Sequence, residues 1–395
     1  MLLWVNIFLL VIEFLLLKKI NKLFTPLGLF VLIWLIALLF LPFAEEYYSY
    51  KVSDRFYLFY LALTSVNIFL LVFSGNNNKN VERKQYDRKY LSKLGRANDL
   101  VLILTTLWVG LFFIDVFRKY SVLWLVNPVE LREMFFDGRA DLIVGASYSK
   151  LLLYLSTFFS CALIFYGNKK KRLYLPVFLA LMFATAYLGR NEFFKVIMMY
   201  VCALHTKYEW SMKRWIMIGG TLFFVLIFMS SLLNKENRYA DNRNSFISAI
   251  EAIGCYASGS IIAFDDHIST STELTYGTST FYPLLRRLGS QVSPPNYTED
   301  YIGNINTFTY LRPFYDDYGA IGILFLVSLF NWILIIFSVK LLRYSSIYMF
   351  VIYISIFPVA LFSIQGFELQ SIEFFSSVLY CLIICYLCKF KFIYL

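Results

Sequence analysis

Apolar runs of about twenty residues, the length an α-helix needs to cross the ~30 Å hydrocarbon layer of a bilayer, recur from one end of this chain to the other. Hydrophobic residues make up 59% of the 395 and charged residues only 16%. The mean hydropathy is +0.63, far from a soluble globular composition. Such a chain is predicted to be an all-α polytopic membrane protein. Eleven candidate spans can be marked, at 2–17, 27–43, 56–74, 99–117, 149–167, 173–188, 193–206, 215–233, 318–340, 347–365 and 372–388. The first run has no basic residues before it and no small-residue cleavage site after it, which reads as a spanning helix rather than a cleaved signal peptide. Aromatic residues reach 20%, more than two interfacial belts require, so some are expected to line a cavity.

Charge orders the connections. The segments "KKINK", "NKNVERKQYDRKYLSKLGR", "NKKKR", "KYEWSMKR" and "KFK" are basic, and with Lys340 and Arg343 they hold more than half of the 36 Lys and Arg. The positive-inside rule places them in the cytoplasm, with the N-terminus outside and the C-terminus inside. The net charge of +10 then faces anionic lipid headgroups and calls for no nucleic-acid partner. Three regions follow: residues 1–233 with eight spans and an external loop at 118–148, a large external loop or cap at 234–317, and residues 318–395 with three more spans. Within the cap, 245–267 is moderately apolar with Gly and Ser interruptions, as expected of a helix at the interface or packed over the bundle. Pro283, Pro294, Pro295 and Pro313 are read as breaks in regular structure.

Several external residues carry candidate chemistry. In the tip "LGRNE", Arg190 lies between two short apolar runs beside Glu192. A guanidinium there either snorkels and pairs with Glu192 or binds an anionic ligand through its paired donors. Arg286, Arg287 and Arg312 are further external cations that suit a lipid diphosphate. Asp316 and Asp317 are expected at the start of a helix, where one caps the free N–H groups and the other is a candidate general base for a sugar hydroxyl. His267 follows Asp265 and Asp266, but too few ligands accompany it for a metal site. Cys381, Cys385 and Cys388 share one helical face without His or carboxylate, which reads as packing. Asn296 opens a glycosylation sequon. No nucleotide-binding loop, nucleophile elbow or zinc motif is present, so no cofactor or metal is expected and the energy for any reaction must arrive in an activated substrate.

Four stretches in order, "ELREMFFDGR" at 130–139, "ATAYLGRNEFFKVIMMY" at 184–200, "YGTSTFYPLLRRL" at 276–288 and "NTFTYLRPFYDDYGAIGILF" at 306–325, make the chain resemble the O-antigen polymerase (Wzy) family. The resemblance covers most of the chain and extends more loosely to O-antigen ligases. It implies a GT-C-like, O-antigen ligase-like helix bundle with a helical external cap in the bacterial cytoplasmic membrane. The implied activity is metal-independent, inverting glycosyl transfer on the external face. A growing glycan would pass from undecaprenyl diphosphate onto a new lipid-linked repeat unit of O-antigen or capsular polysaccharide. On this resemblance Arg190 contacts the donor diphosphate, Arg132 the second headgroup, and Arg286, Arg287 and Arg312 are further substrate contacts. Asp316 or Asp317 serves as base or acceptor anchor. Asn306, followed by Thr307, stands where ligases carry a His-Asn pair, a departure that favours polymerase over ligase and counts against a His-based mechanism. A chain-length regulator is the partner protein the family implies. A flippase of lipid-linked glycans is the rival from another class; it would show similar halves and more polar spans.

Overall fold

The computed structural model describes residues 1–20, 22–73, 82–83, 86–136, 141–142, 145–167, 170–189, 191–211, 213–214, 217, 220–221, 245–270, 273–292, 309–340, 344–364, 366 and 371–389. Its helices are α1 (Leu2–Lys19), α2 (Pro26–Tyr47), α3 (Asp54–Phe73), α4 (Arg88–Val126), α5 (Pro128–Phe136), α6 (Ala146–Phe165), α7 (Leu175–Tyr187), α8 (Asn191–Tyr208), α9 (Ser245–Thr270), α10 (Tyr282–Arg287), α11 (Leu311–Ile321), α12 (Ser328–Ile335), α13 (Ile347–Leu361) and α14 (Ile372–Leu387). Every expected span coincides with a helix except 215–233, most of which lies outside the described residues. Among the described residues, five helical stretches, Pro26–Tyr47, Asp54–Phe73, Arg88–Val126, Ala146–Phe165 and Leu311–Ser338, are long and apolar enough to cross a membrane. The protein is an all-α membrane protein. On α4 the exposed side chains are themselves apolar, with Leu100, Ile103, Leu107, Leu111 and Ile114 at helical spacing. That is the pattern of a face turned to lipid, since only in lipid does such a stripe lose nothing by exposure.

The chain forms two compact units. The first comprises Met1–Glu82, Tyr239–Ser345 and Ile356–Ile372. Here α2 starts on Thr25, whose side chain accepts from Gly28 N, with Pro26 in the first turn where no donor is needed. Leu27, Phe30, Val31, Trp34, Ala37, Leu38, Leu41 and Ala44 follow at three- and four-residue spacing and are buried. Trp34 stacks on Tyr60 at 4.6 Å and donates its indole N–H to Ser363 Oγ. Asn6 on α1 donates to Tyr57 O on α3.

Helix α9 holds the segment expected at the interface or packed over the bundle. Its 26 residues, about 39 Å of helix, lie alongside α2. Ser258 donates to Ala37 O at 2.7 Å, and Asp265 reaches Ser53 N just past the end of α2, so the two run in the same direction. Two of the serines that interrupt this segment, Ser258 and Ser260, are buried, as is Cys255. Small side chains let helices approach closely in a membrane, so polarity in the sequence here marks an interface between helices rather than contact with water.

Helix α11 departs from expectation. It begins at Leu311, with Pro313 inside its first turns, where a missing N–H costs nothing. Asp316 and Asp317 therefore sit in its second turn and do not cap it. At Gly319 the backbone takes φ +59°, ψ −142° and kinks the helix. The carbonyls of Asp316 and Asp317 accept from Thr275 N and Tyr276 N, peptide groups of another segment. Three residues on, a Cβ at Gly322 would lie 1.9 Å from Phe314 O, and the chain continues as wide π-helical turns over Gly322–Val327.

The second unit comprises Arg83–Arg238, Ser346–Ser355 and Glu373–Leu395. The 39-residue α4 bends at Tyr120 and packs on α6, where Thr105 donates to Leu152 O and Ser160 to Asn98 Oδ1. The expected external loop at 118–148 is partly helical, as the end of α4 and α5. Helix α7 has 13 residues, about 20 Å, short of a full crossing. It stops where Leu188 adopts a left-handed conformation, and α8 begins at Asn191. All six cysteines are buried thiols.

Gly322→Ala is expected to destabilise the protein by several kcal/mol, because the backbone carbonyl of Phe314 has to move. A thermal-unfolding midpoint equal to that of the unsubstituted chain in the same detergent would contradict this.

Candidate functional site

In the first unit, the chain connecting α2 to α3, the C-terminal end of α9 and the start of α11 converge. His267 Nε2 lies 2.5 Å from Asp316 Oδ1, and Arg312 Nε lies 3.4 Å from Asp316 Oδ2, one helical turn away. The three side chains are only 16%, 12% and 8% exposed. One carboxylate thus stands between an imidazole and a guanidinium at the end of an apolar bundle, where low dielectric strengthens each pairing. The carboxylate fixes the ring's orientation through Nε2 and leaves Nδ1 as the nitrogen it does not engage.

Arg55, at the N-terminus of α3, completes the surroundings. Its guanidinium donates to Tyr315 Oη at 3.3 Å and Ile268 O at 3.4 Å. It also lies over the rings of Phe59 and Tyr315, 5.7 and 5.9 Å from their centroids. Tyr315 in turn donates to Ile268 O. Asp265 is committed elsewhere: Ser53 N, Ser53 Oγ and Tyr50 Oη all donate to it, which fastens α9 to the start of α3. Burial and the Asp265 carboxylate raise the Tyr50 phenol above its ordinary pKa, so it remains a donor.

Asp317 is fully buried and faces the 273–281 segment. It accepts from Thr275 Oγ1 at 2.5 Å, Ser279 N at 3.0 Å and Thr280 N at 2.7 Å. Of the two adjacent carboxylates, therefore, one pairs with a titratable ring and the other pins a loop. Neither carboxylate caps its own helix as expected; Asp317 instead accepts N–H groups of another segment.

The remaining sequence candidates are dispersed. Arg286 and Arg287 end α10 and are exposed. Arg132 lies half-buried on α5 and Glu192 opens α8, both in the second unit, where Lys150 approaches Glu192 at 3.4 Å and the Tyr187 ring at 4.4 Å. Lys195 is buried on the same helix as Glu192. Arg190, Asn306, Pro294, Pro295 and the sequon at Asn296 lie outside the described residues. Sequence reasoning gave His267 no partner and passed over Arg55 and Lys150. The available signal was Asp-Asp-His at the polar end of a long weakly amphipathic segment, while Arg55 and Lys150 look like ordinary charges at span ends. Among the described residues no group of three or more His, Cys, Asp or Glu is placed to hold a metal ion. No family model, curated protein or solved structure matches the chain.

Replacing Asp317 with Ala leaves two backbone N–H groups and a hydroxyl without their acceptor. At about 1–3 kcal/mol for a buried unsatisfied group, the 273–281 segment should detach and become cleavable by protease in the folded protein. A digestion pattern identical to that of the unsubstituted chain would contradict this role.

Proposed function

We propose that the chain is a membrane-embedded polymerase of undecaprenyl-diphosphate-linked oligosaccharide repeat units, acting on the external face of a bacterial cytoplasmic membrane. The observation that carries this reading is the His267–Asp316–Arg312 group at the end of an apolar bundle, with Arg55 against Tyr315 beside it. An oriented imidazole is a general base matched to a sugar hydroxyl near neutral pH. Neighbouring guanidiniums suit the charge that grows on a departing diphosphate.

In this mechanism His267 takes the proton of the acceptor hydroxyl while its oxygen attacks the anomeric carbon of the donor glycan. The bond from that carbon to the diphosphate oxygen breaks on the opposite face, so the configuration inverts and undecaprenyl diphosphate leaves as an anion. Arg312 and Arg55 offset its charge. Asp316 orients the ring and stabilises the imidazolium, and Asp317 keeps the adjoining loop in place. The base role thereby passes from the carboxylates to the histidine, against the expectation drawn from Asn306 and Thr307. A histidine base also suits ligase-type transfer, which differs in its acceptor.

The test uses purified protein in liposomes with a lipid-diphosphate-linked repeat unit as sole glycan. A ladder of longer lipid-linked products supports polymerisation, and transfer only to a different acceptor lipid identifies a ligase. No product with either acceptor overturns the reading. His267→Ala should lower the rate by about 10²–10⁴-fold, the usual worth of a general base, whereas an unchanged rate removes His267 from the chemistry. Arg190→Ala is expected to abolish the ladder at normal expression; full activity would mean that Arg190 only snorkels.

A further inference from the structure

The segment 273–292 combines three properties that a water-facing loop does not need together. It exposes large apolar side chains: Leu274, Tyr276, Phe281, Leu284 and Leu288, with Tyr276 75% and Leu288 73% accessible. Its charges beyond Glu273 are Arg286 and Arg287 alone, both exposed at the end of α10. It is held against the kinked start of a spanning helix through Thr275 N, Tyr276 N and the Asp317 carboxylate. Beside that attachment, Leu274 approaches Gly319. Ile321, Leu324 and Phe325, just beyond the kink, are exposed apolar residues of the Leu311–Ser338 span. The exposed apolar surface of the loop therefore adjoins the part of the helix that faces lipid.

We infer that residues 274–288 lie in the bilayer interface, with their apolar side chains among the upper acyl chains and Arg286 and Arg287 against lipid phosphates. Exposed aromatic and aliphatic groups with two exposed arginines at the end of α10 are the chemistry of an interfacial anchor, and each Arg near an anionic surface adds attraction. The occupant is the bilayer itself, because the patch continues a surface that the membrane already covers. Water-filled surroundings would leave this apolar patch exposed at a cost proportional to its area. The anchor depends only on the protein's being a membrane protein. It also sets the depth of the His267–Asp316 pair, since Asp316 O and the loop are directly bonded.

Three variants of the full chain, Tyr276→Cys, Leu284→Cys and Leu288→Cys, are to be spin-labelled in nanodiscs of phosphatidylcholine with phosphatidylglycerol. Lys171→Cys, exposed on a polar turn, is the aqueous control. The unsubstituted chain, whose six cysteines are buried, gives the background. Power saturation should show severalfold greater access to oxygen relative to a nickel chelate at the three loop positions than at residue 171. Nickel access equal to the control at all three would overturn the proposal. Arg286→Glu combined with Arg287→Glu should shift the labels toward water in these discs. Unchanged depth in that variant would overturn the phosphate contact.

Discussion

A peptide group in hydrocarbon must find its hydrogen-bond partner inside the protein, and α11 is where this chain meets that requirement in an unusual way. The kink at Gly319 interrupts a helix that must otherwise bond to itself. The two carbonyls just before it take their donors from Thr275 and Tyr276, and the side chain of Asp317 answers by accepting N–H groups from the same segment. A loop far away in sequence is thereby bonded to the start of a span. Helix and loop share one set of partners.

Asp316 depends on the same geometry. Had α11 begun at the two carboxylates, both would point at the helix's own first turn and His267 would have no acid beside it. Starting at Leu311 moves them into the second turn, with Arg312 four residues from Asp316 and the His267 ring at its other oxygen. Asp265, one turn-fraction from His267, holds the end of α9 to Ser53, so the imidazole is delivered by a helix fixed at that end. Neighbours in sequence thus have different partners: Asp316 meets the His267 ring, whereas Asp317 and Asp265 hold adjoining segments in place.

Much of the architecture was legible in the chain. Apolar length marked the helices because membrane thickness leaves little choice, and the buried stripe of α2 follows from its spacing alone. Two readings failed for physical reasons. The α9 segment looked too polar for a confident span because Gly and Ser interrupt it, yet at a helix–helix contact small residues are an advantage. Pro313 looked like a stop, yet a proline in a first turn breaks no bond. The candidate site was legible in part: Arg312 and Asp316 were marked, but His267 was weighed only as a metal ligand and not as their partner. Nothing in a lone histidine forty-nine positions away indicates that it will meet that carboxylate.

Sequence by itself determined that this is a helical membrane protein and where most of its helices lie, because those properties depend on local composition and on the fixed thickness of a bilayer. Tertiary structure alone decided which of two neighbouring carboxylates faces an imidazole and which ties down a loop. That choice turns on where α11 begins and on the kink at Gly319, and its partners come from helices and turns that only folding brings within hydrogen-bond distance.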